Sequence, residues 1–123
     1  MTYITADQIL AHLVGDYLLQ SHWMATHKAR RSLAAGLHAV TYALPFLLLT
    51  SSPPALAAIC GSHFVIDRWR LARFVVWLKN GARGEITATG YPADTPPWLA
   101  VWLLIVADNT LHLICNAAAI TWL

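Results

Sequence analysis

The chain has 123 residues, room for one domain, and 58% of them are apolar while only 11% are charged, against roughly 25% charged in a typical globular protein. With a positive mean hydropathy, this is the composition of a helical membrane protein, and it excludes a disordered chain and, with two cysteines, a disulfide scaffold. A net charge of +2 from eight basic residues gives no broad phosphate-binding surface, so nucleic acid is not an expected partner.

The N-terminus, Met1-Thr-Tyr-Ile-Thr-Ala-Asp7, has no basic region and no small-residue cleavage site after an apolar run, so the apolar segments are expected to stay in the mature chain. The first of these, Ile4 to Trp23, carries Asp7, Gln8, His12, Asp16 and Gln20. A helix this polar spans a bilayer only with its polar stripe turned toward protein. Leu33 to Leu49 is the clearest apolar run; Pro45 predicts a kink within it, and Pro53-Pro54 a turn beyond it.

A third helix is expected from about 54 to 69, followed by a basic amphipathic stretch to about 79 near the interface, because arginines at 68, 70 and 73 are expensive at a bilayer centre. Asn80 to Gly84 breaks it. Pro96-Pro97 then opens the last run, Trp98 to Trp122, whose length fits a tilted span. The expected fold is thus all-α, one polytopic domain over 1–123 with about four hydrophobic helices and an interfacial segment. All eight Lys and Arg residues fall in 28–31 and 68–83, which places both segments on the cytoplasmic side of an inner membrane.

The polar residues left inside these helices are specific. His12/Asp16, His63/Asp67 and Asp108/His112 are each four apart, so each pair shares a helix face, and His38 joins them from the second helix. Counted inward from the cytoplasmic ends, Asp16, His38, His63 and Asp108 reach a common depth. Four histidines and three aspartates, His12, Asp16, His38, His63, Asp67, Asp108 and His112, suit one or two divalent ions, Zn, Mn or Fe. Asp16, Asp108 and His112 are the candidate catalytic residues. Each pair also has a plainer role as helix-surface or interhelical hydrogen bonding, and Cys60 and Cys115 read as packing residues. Asn109 and Thr110 read as helix contacts turned away from the Asp108/His112 pair. Gly15, Gly36 and Gly61 permit close helix approach.

The order of these motifs, HLVGDYLLQ, Lys28, His38 with Tyr42, HFVIDRW and DNTLH, resembles a family of small bacterial and phage membrane proteins classified only as a domain of unknown function, number 3307. The resemblance covers about residues 8 to 116 and implies a membrane fold and the same residue set, with His12, Asp16, Tyr17 and Gln20 in the opening motif. Asn109 stands where the family often has Gln. A weaker likeness is to small membrane-bound metal-dependent hydrolases.

Three functions stay open at this level. The first is an intramembrane metal-dependent hydrolase of a lipid-linked or amphipathic substrate. The second is a non-catalytic membrane structural or interaction protein, such as a phage factor acting on the host envelope, as a homo-oligomer or with a membrane partner. The third is an ion or metal transport component.

Overall fold

The computed structural model describes residues 4–123. The expectation for Met1 to Tyr3, part of a retained N-terminus, lies outside them. Six α-helices form the bundle: α1 Ala6–Leu13, α2 His22–His27, α3 Ser32–Ala43, α4 Pro53–Arg68, α5 Leu71–Lys79 and α6 Pro97–Trp122. α6 packs along α4, α4 along α3, and α1 closes against α6.

Local chemistry sets the boundaries. Thr5, Ser21 and Ser52 cap α1, α2 and α4 by accepting the backbone N–H of Gln8, Met24 and Ala55. Beyond α1 the chain widens into a π turn, Val14–Leu18, in which Leu19 N–H reaches back five residues to Val14 O at 3.0 Å. Pro45 has no N–H to give the α-helical ladder, and α3 tightens there into a 3-10 segment, Leu44–Leu48, a fuller change than a kink. α4 stops at Trp69, where Arg70 takes a left-handed conformation at φ 51° and turns the chain into α5.

Four full-length spans are not what these elements provide. Among the described residues, α6 alone is both long and apolar enough to cross a bilayer, at 26 residues; Ser32–Leu48 is apolar but shorter, and α4 has 16 residues. The segment expected as one helix from 4 to 23 is interrupted after Leu18. The amphipathic stretch to 79 is present as α5.

The centre is built from small residues and one aromatic pair. Ala34, Ala35, Ala39 and Ala55 are fully buried, and Tyr42, Phe46 and Ile59 fill the space between α1, α3, α4 and α6. A second, smaller cluster joins Val76, Tyr91 and Ala100 beneath the loop after α5. Outside, the bundle is apolar: Leu18 is 77% exposed, Leu48 90% and Trp98 69%.

Of the three glycines read as contact points, only Gly15 is one. A Cβ there would lie 2.7 Å from Tyr42 O, whereas Gly36 has one distant neighbour and Gly61 open space. Gly15→Ala is therefore expected to lower the melting temperature followed by circular dichroism in detergent. Gly61→Ala, in mid-helix without a clash, is expected to raise stability by about 0.5–1 kcal/mol.

Candidate metal centre

Four helices deliver the polar residues to one place. The π turn carries Gly15 against Tyr42 and brings Asp16 inward beside His38 of α3; His63 and Asp67 follow from one face of α4, and His112 from α6. All five of these ionisable side chains are buried.

His38 Nε2 lies 3.1 Å from Asp16 Oδ1, 3.3 Å from Asp67 Oδ2 and 2.8 Å from His63 Nε2. His63 Nε2 is 3.2 Å from Asp67 Oδ2 and 3.8 Å from Asp16 Oδ1. Ligand atoms on a tetrahedral ion with bonds of about 2.0–2.1 Å are separated by about 3.3 Å. The five distances scatter around that edge, and one ligand atom from each of Asp16, His38, His63 and Asp67 falls within 4.8 Å of the rest.

The donor set asks for a cation. With each imidazole protonated at Nδ1, two nitrogen lone pairs and two carboxylate oxygens face one another in a buried volume. Lys28 answers part of this, its Nζ 2.7 Å from Asp67 Oδ2 and 3.9 Å from Asp16 Oδ1, as ion-pair contacts. Burial alone would pull the Lys28 ammonium down, but Asp67 and then Asp16 outweigh it and hold it above the ordinary lysine range. Neither His38 Nδ1 nor His63 Nδ1 has a hydrogen-bond partner. Ring contacts orient His63 instead, stacked on Tyr42 at 3.6 Å between centroids and tilted against His112 at 4.1 Å.

A second group adjoins the first. Asp16, Asp108 and His112 also offer ligand atoms within 4.8 Å of one another. His112 Nε2 is 3.4 Å from Asp108 Oδ2 and 3.2 Å from Asp67 Oδ1, so Asp67 turns one oxygen to each group. Asp108 is the open member, its side chain 31% exposed, and it lines a cavity of about 310 Å³ that reaches Asp16, Asp67 and Lys28.

His12 stands apart. Its Nε2 is 4.0 Å from Asp16, and both ring nitrogens are engaged: Tyr42 Oη lies 2.8 Å from Nδ1 and Asn109 Oδ1 2.8 Å from Nε2. Asn116 Nδ2 donates to Tyr42 Oη at 2.6 Å, which frees the Tyr42 proton for His12 Nδ1 and leaves Nε2–H to donate to Asn109. Asn109 Nδ2 donates onward to the Tyr17 hydroxyl at 2.9 Å. Asn109 is thus the helix contact expected of it, turned from the Asp108/His112 pair toward His12 and Tyr17.

The family described as "Protein of unknown function (DUF3307)" matches residues 4–123. This chain belongs to that family. No curated protein and no solved structure matches. The DUF3307 assignment accords with the motif order read from the sequence, and two positions of that order not read as site residues, Lys28 and Tyr42, are the counter-cation and the hydrogen-bond hub of the buried cluster. Asn116, also missed as a partner, sits four residues beyond His112 on the same helix face.

Removing the Tyr42 hydroxyl tests this division of labour. In the DUF3307 protein, Tyr42→Phe leaves His12 Nδ1 and Asn116 without their partner and is expected to cost about 1–3 kcal/mol per orphaned group in urea unfolding. Metal content of the folded variant should stay at the wild-type level, because Tyr42 contributes no ligand atom.

Proposed function

We propose that this DUF3307 protein is a membrane-embedded, metal-dependent hydrolase whose substrate is lipid-linked or amphipathic. The observation that carries the reading is the near-tetrahedral spacing of one ligand atom each from Asp16, His38, His63 and Asp67, beside a cavity that opens past Asp108. Four nitrogen and oxygen ligands suit Zn²⁺ first, with Mn²⁺ or Fe²⁺ served if the Asp108/His112 group is drawn in. A divalent ion held by three of these four groups, or with a fifth position free, would supply Lewis acidity and an acidified water. Of the chain's own groups, His38 and His63 would hold the ion, Asp16 and Asp67 would hold and neutralise it, and Asp108, which lines the cavity 3.4 Å from His112, is placed to take up a proton.

Membrane placement rests on the exposed apolar surface and on α6. In this reading α6 crosses, the shorter α1, α3 and α4 are carried beside it in the bilayer of a bacterial or host inner membrane, and α5 lies at the interface. The two ends of the bundle are distinct. Arg68 donates to Ala29 O and Ser32 Oγ, tying both basic segments to one end, while Ser52 Oγ donates to the Leu123 carbonyl at the other. The basic end is the cytoplasmic one. Lipids are then the immediate partners, and the outer face of α6, with Val101, Trp102 and Val106 exposed, is also where a second copy or another membrane protein would pack.

A non-catalytic reading draws on the chain from Asn116 through Tyr42 and His12 to Asn109, which joins α1, α3 and α6 by hydrogen bonds alone. It explains His12. It does not explain why two imidazole nitrogens and two carboxylate oxygens from three helical segments converge in one buried group.

Metal analysis of detergent-purified protein decides between these. We expect about one zinc-type ion per chain, lost in His63→Gln and Asp67→Asn at preserved helicity and retained in His12→Gln. Folded wild-type protein that neither contains nor takes up a divalent metal would overturn the proposal. For topology, Glu85→Cys should react with a membrane-impermeant maleimide only after permeabilisation and Ser51→Cys in intact cells; the opposite pattern reverses the orientation.

A further inference from the structure

The cavity beside the ligand cluster has a charge pattern that the cluster does not use. Besides the carboxylates of Asp16, Asp67 and Asp108, its lining includes three cations, Lys28, Arg70 and Arg73. Lys28 is committed to Asp67. The two arginines are not committed to any carboxylate: Arg70 donates to the Ala88 carbonyl at 2.8 Å, and the Arg73 guanidinium lies over the Phe74 ring at 4.9 Å while its Nε is buried without a hydrogen-bond partner.

Three carboxylates against three cations is a neutral lining. A divalent ion in the ligand cluster makes it positive by two charges, so the loaded cavity favours an anion. Its orphan atoms specify the anion further. Of two residues in its lining, Arg73 Nε lacks an acceptor and Gln20 Oε1 lacks a donor. A phosphate monoester offers several acceptor oxygens to a guanidinium, and a protonated phosphate oxygen donates to the amide carbonyl. The remaining walls, Ile66, Ala72, Leu104 and Ile105, are apolar.

Volume limits what enters. About 310 Å³ is at the small end for ligand pockets, enough for a head group and the first carbons of a chain and not for a whole lipid. The rest must lie outside, along the exposed Val101, Trp102 and Val106 of α6 or Leu13 and Leu18 of the first helical segment. Backbone geometry adds a further sign. Arg70 is a non-glycine residue held in the left-handed region, and this turn leads into α5, which carries Arg73 to the cavity lining.

We propose that the substrate is a phosphorylated amphiphile, its phosphate bound by Arg73 and Arg70 at the mouth of the metal centre and its tail against the outer apolar faces. The proposal rests on the metal-dependent hydrolase reading for its chemistry. In that step a water oxygen bonds to phosphorus, the bond from phosphorus to the lipid oxygen breaks with its electron pair left on that oxygen, and the water's proton passes to it by way of Asp108. The products are the lipid alcohol and inorganic phosphate.

The full chain in neutral detergent, loaded with zinc, is titrated calorimetrically with dioctanoyl phosphatidic acid, farnesyl phosphate, dioctanoyl glycerol and inorganic phosphate. Phosphate release and zinc content are measured on the same samples. We expect at least one of the two phosphorylated amphiphiles to bind at least tenfold more tightly than either the uncharged lipid or free phosphate. Arg73→Gln should weaken that binding tenfold or more with zinc content unchanged, and Arg73→Lys should restore part of it.

Equal binding of dioctanoyl glycerol, equal binding of inorganic phosphate, or wild-type affinity in Arg73→Gln would each overturn the assignment. So would failure of both phosphorylated amphiphiles to bind zinc-loaded protein, which leaves the metal centre standing. Tight, Arg73-dependent binding without phosphate release supports the head-group site and removes the hydrolase reading instead.

Discussion

Asp67 is the point on which the bundle converges. Within 2.7 to 3.3 Å of its two oxygens lie Lys28 from the end of α2, His38 from α3, His63 from its own helix and His112 from α6. A buried carboxylate is tolerable only when the groups around it replace the water it has lost, and no single helix can supply four such groups. The requirement therefore acts as a constraint on tertiary structure. α3, α4 and α6 must meet at one level, and the connection after α2 must fold back over them. Removing this carboxylate leaves the other members without the charge they share, while the apolar contacts among the helices stay in place.

Part of this was legible because it is local. Histidine and aspartate four residues apart on a helix face the same way whatever the tertiary structure, so His63/Asp67 and Asp108/His112 could be read directly from spacing, and Pro96-Pro97 marked the start of α6. What the sequence could not disclose depends on contacts across the chain. Lys28 looks like one more basic residue in a loop until the fold brings it 2.7 Å from Asp67, 39 residues away. Asn109 is turned away from Asp108 and His112 by helix geometry, but α1 lies on that other side, and His12 receives it there. The pair His12/Asp16 shows both outcomes. Spacing put the two residues on one face, and the π turn between α1 and Leu18 then separated their roles, sending Asp16 to the ligand cluster and leaving His12 to hydrogen bonding.

Helix lengths were over-read for a related reason. Apolar runs count residues, whereas a continuous α-helix needs an unbroken hydrogen-bond ladder. Pro45 and the π turn at Val14 each interrupt a ladder that hydropathy sees as continuous. Both interruptions sit beside the site. The π turn lets Gly15 abut Tyr42, and the close approach of these two segments is what allows Asp16 to reach His38. The same irregularities that shorten the helices thus shape the cluster, as expected where function sets local structure against the regular ladder.

The polar interior separates into two halves with different physics. From Asn116 through Tyr42 and His12 to Asn109, each donor has its acceptor, and the chain of hydrogen bonds satisfies itself without any ion. Around Asp16, His38, His63 and Asp67, two imidazole nitrogens and two carboxylate oxygens converge, with the Lys28 ammonium beside them. Tyr42 belongs to the first half by its hydroxyl and to the second by its ring, stacked on His63. A satisfied network is rigid, because every displacement breaks a bond that nothing nearby replaces. Through Tyr42 that rigidity fixes the plane of His63, whose own Nδ1 has no partner to do so.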